Sequence, residues 1–335
     1  MRSWLLPEHV EDVLPPEAEA LEALRRRLVD HLMGQRYRLV QPPLIEHLDS
    51  LLTGSARDLD LQTFKIVDPL SGRLLGVRAD ITPQVARIDA HLINTAGVNR
   101  LCYSGSVLRA TPAPPGMTRE VVQVGAELFG EATIGGDREV IGLLLSSLAC
   151  AGLSGLHLDL GHVGVYRALA SGAGIAGTGE ESDLFDAMRA KDVPGVVAAT
   201  AKLPAAWRDA LRAMPGLYGP AHEVLPSARE TLPDVPAIAN ALAALDALAN
   251  AFASHVEALH VDLADLRGYH YHNGPIFSAF TAGEANAVGN GGRYDGVGKV
   301  FGRARPATGF TLDLRQLHEV LRRSGTTDEE RVRTP

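Results

Sequence analysis

The stretch that most restricts the folds open to this chain runs from Glu120 to Leu128, where Val122, Val124, Ala126 and Leu128 alternate with Gln123, Gly125 and Glu127. A strict period of two is the pattern of a β-strand with one apolar face. The strand turns that face to a core and sets an amide and a carboxylate on the other. Upstream, Leu74, Leu75 and Val77 read as an apolar strand running through Arg78-Ala79-Asp80-Ile81-Thr82-Pro83-Gln84 into a helix, with Thr82 as N-cap and Pro83 at the first helical position. Between them, Leu101 to Arg109 reads as another strand, with Gly105, Val107 and Arg109 on one face and Gly105 leaving room for a ligand to lie flat. If these strands are neighbours with their polar faces on one side, Asp80, Arg109, Gln123 and Glu127 converge on one pocket. Two carboxylates suit an ammonium and a ring N–H, while an arginine and an amide suit a carboxylate. The same pattern also describes the solvated polar face of an antiparallel sheet, and alternation alone does not separate the two.

A length of 335 residues is enough for a large core, as one big domain or two ordinary ones. The aliphatic, Ala-rich composition with few aromatics fits a soluble α/β or α+β chain. A formal charge of −8 argues against a broad nucleic-acid surface, which needs clustered Lys and Arg. The basic triplet Arg25, Arg26 and Arg27 falls inside a helical pattern and reads as a solvated helix face. Cys102 and Cys150 sit in apolar surroundings without metal-like spacing, as reduced core residues of a cytoplasmic protein do. The N-terminus, rich in acids and prolines, does not read as a signal peptide. The longest uncharged run, Val140 to Leu156, falls short of the roughly 20 residues that span a bilayer and reads as a buried helix followed by a turn.

In chain order, Ala18 to Met33 carries Leu21, Leu24, Leu28 and Leu32 at helical spacing and is expected to stop at Gly34. A strand at Tyr37 to Val40 follows, then Pro42 and Pro43. Asp137 is a candidate cap for a helix reaching about Cys150, and Leu156 to Leu160 reads as a strand. From Tyr166 to about Ala253 the chain is Ala-rich, with helical patterns and no alternating strands. Within it Gly172, Gly174 and Gly177 match G-x-G-x-x-G, but no strand-then-helix context surrounds them, and a loop accounts for them better than a dinucleotide site. Strands resume near Leu263. His270 and His272 alternate within Arg267-Gly268-Tyr269-His270-Tyr271-His272-Asn273-Gly274, yet no third metal ligand lies at sensible spacing. Gly289 to Asp295 reads as a glycine-rich turn, either approaching a ligand or closing a hairpin. Ala307 to Gln316 passes from strand to closing helix.

From about Glu8 to Val320 these blocks resemble the class II aminoacyl-tRNA synthetase catalytic domain, and specifically its histidyl branch. Four short motifs carry the resemblance: Arg78 to Arg87, Arg109 with the strand Arg119 to Gly130, Arg267 to Asn273, and Gly291 to Gly296. It implies an α+β fold, a mixed and mainly antiparallel sheet flanked by helices, and a homodimer built through the first helix and strand. The implied core covers residues 1–165 and 255–325, with a helical insertion over 166–254 and a disordered tail at 326–335. A histidine pocket is implied as well: Asp80 and Thr82 at the α-ammonium, Gln123 and Arg267 on the carboxylate side, Glu127 at the imidazole, and Arg109 serving carboxylate and adenylate. Tyr271 belongs to the same motif, and where the synthetases place a second tyrosine against the imidazole this chain has His272, whose ring still hydrogen-bonds.

The further departures from the synthetase pattern concern ATP. Two positions after Arg109 the synthetases have an acidic residue; here it is Thr111. Their loop continues with basic residues, whereas this one reads Pro112-Ala113-Pro114-Pro115-Gly116-Met117 before Arg119. In the closing motif Arg315 and Gln316 stand where an acidic residue and a γ-phosphate arginine are expected. Each charge-assisted contact to phosphate is worth roughly 1.5 to 3 kcal/mol, and losing several is expected to abolish adenylate formation. The sequence ends at Pro335, and the anticodon-binding domain that follows in the synthetases is expected to be lacking.

A kept histidine pocket without its activating machinery resembles the family of ATP phosphoribosyltransferase regulatory subunits. Membership implies a non-catalytic chain without cofactor or metal. It would assemble with the short-form ATP phosphoribosyltransferase catalytic subunit as a homodimer within a hetero-oligomer, and help transmit histidine feedback. No nucleic-acid or membrane partner is expected. Two other readings remain open at this point: a truncated histidine-activating enzyme and a free-standing histidine sensor.

Overall fold

The computed structural model describes residues 5–52, 57–112 and 117–325. Loop residues 113–116 and the tail expected at 326–335 lie outside them. Among the described residues, twelve strands follow in chain order: β1 (Arg38–Leu39), β2 (Ile45–His47), β3 (Phe64–Val67), β4 (Leu74–Val77), β5 (Asn99–Leu108), β6 (Glu120–Phe129), β7 (Leu156–His162), β8 (Tyr218–Pro220), β9 (Ala258–Asp262), β10 (Pro275–Thr281), β11 (Gly289–Arg293) and β12 (Ala307–Asp313). The chain forms two compact units. The first takes the chain up to Glu131, Gly142–Ser154 and the chain from Asp295 onward; the second takes Ala132–Ile141 and Gly155–Tyr294.

In the first unit β5 and β6 form a long antiparallel pair, in register from Asn99 opposite Phe129 to Leu108 opposite Glu120. β12 runs antiparallel along the other edge of β6, and β1 lies parallel to β5. Helices Glu17–Gly34 and Leu314–Arg323 pack on β6 and on each other, burying Leu24, Leu28 and Leu32 of the first and Leu317 and Leu321 of the second. The alternation in β6 does not separate core from solvent as its pattern suggests. Gln123 and Glu127, on its polar face, are only 3% and 1% exposed. Both faces are covered, so the reading as a solvated polar face does not hold.

A second, three-stranded sheet, in the order β2-β4-β3, is antiparallel throughout. The first helix continues through Gly34, and it is Arg36 that takes the left-handed conformation, φ 69°, two residues beyond the expected stop. That helix is laced on its solvent side, where Glu22 receives both Arg25 and Arg26.

The second unit orders its strands β11-β10-β7-β9-β8. β10 is antiparallel to β7 and β11, β9 is antiparallel to β8, and only β7 and β9 run parallel. A parallel pair needs a crossover, and here it holds helices Val163–Gly172, Gly179–Arg189, Val193–Ala199, Ala205–Ala213, Ala221–Thr231 and Pro236–Phe252. The stretch expected to lack strands also contains β8, a short strand on β9. The G-x-G-x-x-G glycines lie at a helix end and the following turn: Gly172 closes one helix against Trp207, Gly174 and Gly177 take positive φ, and Thr178 caps the next helix.

Two further local expectations change. Asp137 does not cap its helix, Ile134–Ala151; the Thr133 hydroxyl accepts from Gly135 N–H, and Asp137 pairs one turn in with Arg293 at 2.9 Å, both buried. The glycine run at 289–293 is strand β11 rather than a turn. Its glycines serve close approach: a Cβ on Gly292 would lie 2.9 Å from the Pro275 carbonyl and 2.7 Å from the His272 ring.

A buried ion pair fixes the far end of the β5–β6 pair. Arg305 Nη1 reaches both Asp89 carboxylate oxygens, at 3.0 and 3.1 Å, and Asn99 Nδ2 donates to the same carboxylate at 2.5 Å. Arg305 also donates to the carbonyls of Thr95 and Gly97. No described helix is long and apolar enough to cross a membrane. Removing one partner of a buried pair leaves the other charge uncompensated. Asp89→Ala is therefore expected to lower unfolding free energy by about 3–5 kcal/mol, measurable as a lower urea midpoint.

Candidate ligand site

The site in the first unit is built on three glycines that lend the space of a missing side chain to polar neighbours. Gly309 of β12 stands opposite Glu127 of β6, and a Cβ there would collide with the Glu127 carboxylate. Gly125 stands opposite Tyr103 of β5, and a Cβ there would overlap the phenol and come within 2.6 Å of the Phe310 carbonyl. Gly105 was expected to leave room for a ligand. That room is filled by the Arg78 guanidinium, with Ile81 Cδ1 at 3.4 Å from the position of a Cβ. Arg78 is a structural residue: it donates to the carbonyls of Ser106 at 2.8 Å and Pro42 at 2.7 Å.

Glu127 is the centre of this cluster. The Thr82 hydroxyl donates to its Oε1 at 2.9 Å and the Tyr103 hydroxyl at 3.2 Å, while the two hydroxyls lie 3.1 Å apart. Burial, with the charges of Glu127 and Asp80 behind it, keeps the Tyr103 phenol protonated well beyond its usual range, so it remains a donor. Thr82 was expected to cap the helix Thr82–Arg87. Its side chain makes no cap hydrogen bond, because the hydroxyl is directed to Glu127 instead. The neighbouring turn is held by Asp80, which accepts from Thr82 N–H at 3.3 Å, and by Gln123, whose Oε1 accepts from Ile81 N–H at 3.0 Å. Asp80, Thr82, Gln123 and Glu127 are thus linked through one strand end and one helix start. Tyr103 was not singled out from the sequence, although Gly125 inside an otherwise continuous strand was a signal that a bulky partner lay opposite.

Arg109 follows the end of β5 and is half-buried. Its N–H donates to the Arg119 carbonyl at 2.9 Å, and Arg119 Nε donates back to its carbonyl at 3.1 Å. The Arg119 guanidinium lies over the Phe64 ring, 4.6 Å from its centroid. Arg315, at the closing motif, faces Glu11 at 3.3 Å and Glu120 at 3.6 Å. Asp313 caps the helix Leu314–Arg323 by accepting from Arg315 and Gln316 N–H, and burial raises its carboxyl above the ordinary range. Arg119 and Arg315 are therefore both committed to partners within the protein.

Arg267, Tyr271 and His272 belong to the second unit. The loop before β10 folds back at Gly268, φ 65°, where His272 N–H donates to the Gly268 carbonyl at 2.7 Å. The His272 ring fits between two glycines, since a Cβ on Gly268 would meet its Nδ1 edge and one on Gly292 its Cδ2 edge. This enclosure pulls the His272 pKa down to about 4 through desolvation, so the ring is neutral at pH 7. Tyr271 stacks on Tyr294 with centroids 4.9 Å apart. Arg267 is gripped by Asp265, which the sequence did not mark. Among the described residues no cluster of three or more His, Cys, Asp or Glu is arranged to hold a metal ion.

The fold is class II synthetase-like, of the histidyl type. The family model described as histidyl-tRNA synthetase matches residues 9–317. The chain is 57% identical over 317 residues to the ATP phosphoribosyltransferase regulatory subunit of Thiobacillus denitrificans, covering 95% of this chain and 98% of that one. It is 55% identical over 319 residues to the subunit of the same name from Ralstonia nicotianae, covering 95% and 81%. A crystal structure from Bacillus halodurans C, of an ATP phosphoribosyltransferase regulatory subunit/histidyl-tRNA synthetase, superposes with a TM-score of 0.84 at 28% identity, covering 95% of this chain and 83% of that one. The chain belongs to the ATP phosphoribosyltransferase regulatory subunit family.

His272 sets a pH dependence. Its folded pKa of about 4 lies below the ordinary 6.5, so between these values the unfolded chain binds more protons. The stability it contributes is full above pH 6.5 and is lost as pH falls toward 4. His272→Asn is expected to flatten the decline of the urea midpoint over that interval relative to wild type.

Proposed function

We propose that this chain is a non-catalytic regulatory subunit of ATP phosphoribosyltransferase in histidine biosynthesis, binding free histidine and passing its occupancy to a short-form catalytic subunit. One contrast carries the reading. Glu127 is buried and oriented by Thr82 and Tyr103, as a cradle for a small cation or ring N–H requires, whereas Arg119 and Arg315 are tied to Phe64, Glu11 and Glu120. A site that receives an amino acid while, among the described residues, Arg119 and Arg315 are engaged elsewhere can be occupied without driving a reaction. The names of the relatives support the assignment to the regulatory side of the transferase.

In this reading the α-ammonium lies by Asp80 and Thr82, the imidazole by Glu127, and the carboxylate by Gln123 and Arg109; the motif resemblance assigns Arg267 to the carboxylate side and Tyr271 and His272 to the imidazole. Histidine then shifts the transferase only through a difference in its affinity for two assembly states, and the coupling is reciprocal: the catalytic chain must change histidine affinity by the same factor. Exposed Met33 and Leu39, on the first helix and strand, support a homodimer through those elements within the hetero-oligomer.

The test is a calorimetric titration of histidine into the full chain, with and without a short-form catalytic subunit. Glu127→Ala is expected to weaken binding by about 10- to 100-fold, the equivalent of one charge-assisted contact, with the chain still folded and unfolding cooperatively at a lower thermal midpoint. Histidine-dependent exchange of pyrophosphate into ATP by the chain alone would show an activating enzyme instead.

A further inference from the structure

Arg267 is the guanidinium to which the histidine reading assigns the carboxylate, and its geometry shows which edge can do so. Asp265 lies two residues before it. Its Oδ1 accepts from Arg267 N–H at 3.1 Å and from Nε at 2.9 Å, and its Oδ2 accepts from Nη2 at 2.5 Å and from Nε at 3.1 Å. This is a side-on fork plus a short backbone turn, so one carboxylate fixes both the start and the end of the arginine side chain. A guanidinium has two edges that form such forks, Nε with Nη2 and Nη1 with Nη2. The first is occupied. At the other end Nη1 has only a long contact, 3.4 Å, to Asn290 Oδ1, which itself accepts from the Ser278 hydroxyl at 2.8 Å.

The two partners differ in exposure in the way a support and a working group should. The Asp265 side chain is 14% exposed and the Arg267 side chain 52%. Asp265 is therefore shielded behind the arginine it holds, while the Nη1 end remains reachable.

We infer that Asp265 is a positioning residue for ligand binding: by occupying the Nε edge of Arg267 it directs the Nη1 end to the carboxylate of the bound amino acid. The inference rests on the histidine reading and assigns Asp265 no contact with the ligand. An arginine held in one orientation loses less side-chain freedom when a carboxylate arrives, so the gain appears only for ligands that have one.

The experiment compares histidine with histidinol, in which a hydroxymethyl group replaces the carboxylate, by calorimetry on the full chain. Asp265→Asn is expected to weaken histidine by about tenfold, a charge-assisted contact reduced by solvent screening, and to leave histidinol within about twofold, while Asp265→Glu recovers most of the histidine affinity. The Arg267 Nε–H resonance in NMR should be protected from exchange in wild type and in Asp265→Glu and lost in Asp265→Asn. Unchanged histidine affinity in Asp265→Asn, or equal losses for histidine and histidinol, overturns the positioning role alone. An unprotected Nε–H in wild type does the same. Wild-type chain that binds no histidine, alone or with its catalytic partner, overturns the functional reading and this inference with it.

Discussion

The first unit depends on a carboxylate held almost entirely out of water. Burying an anion is costly unless hydrogen bonds replace its hydration. At Glu127 the replacements come from hydroxyls on two elements, Thr82 at a helix start and Tyr103 on the adjacent strand. This requirement explains choices that look unrelated in sequence. Gly309 and Gly125 are glycines because the carboxylate and the phenol need the volume of their side chains. Thr82 leaves its helix uncapped because its hydroxyl is needed elsewhere. Gln123, on the same face, accepts the N–H of Ile81 and so holds the strand end that presents Asp80 and Thr82.

Much of this was legible in the sequence because it rests on periodicity. The alternation along β6 located Gln123 and Glu127 on one face, and the apolar run before Arg78 with Pro83 behind it located the strand-to-helix junction. Burial was not legible. Alternation reports which residues share a face; it does not report what covers that face, and here both sides of β6 are enclosed. The glycines were misread for a related reason. A glycine in a strand announces that something approaches closely, but a guanidinium, a phenol, a carboxylate and a ligand all satisfy it, and at Gly105 the occupant is Arg78. At 289–293 glycines dense enough to suggest a turn form strand β11, where the approaching groups are the His272 ring and the Pro275 carbonyl.

What escaped the sequence altogether were pairings between distant or unmarked residues. Arg315 with Glu11 and Glu120, Arg119 on Phe64, and Arg293 with Asp137 are matters of three-dimensional neighbourhood. They change the meaning of the arginines involved. A count of positive charges near the closing motif would suggest a surviving phosphate site, whereas Arg119 and Arg315 already carry internal partners. The family relationship and these internal contacts point in the same direction, toward a regulatory chain that does no chemistry of its own.

A buried carboxylate on a rigid strand also discriminates by exclusion. Under the proposed reading, a molecule that displaces either hydroxyl from Glu127 must supply a proton donor in return. One of similar size that lacks it leaves the anion stranded, at a cost of about 1–3 kcal/mol. An apolar wall would tolerate such isosteres with little complaint. On that reading, the carboxylate held by Thr82 and Tyr103 would favour a ligand that carries a proton donor over aliphatic molecules of comparable bulk.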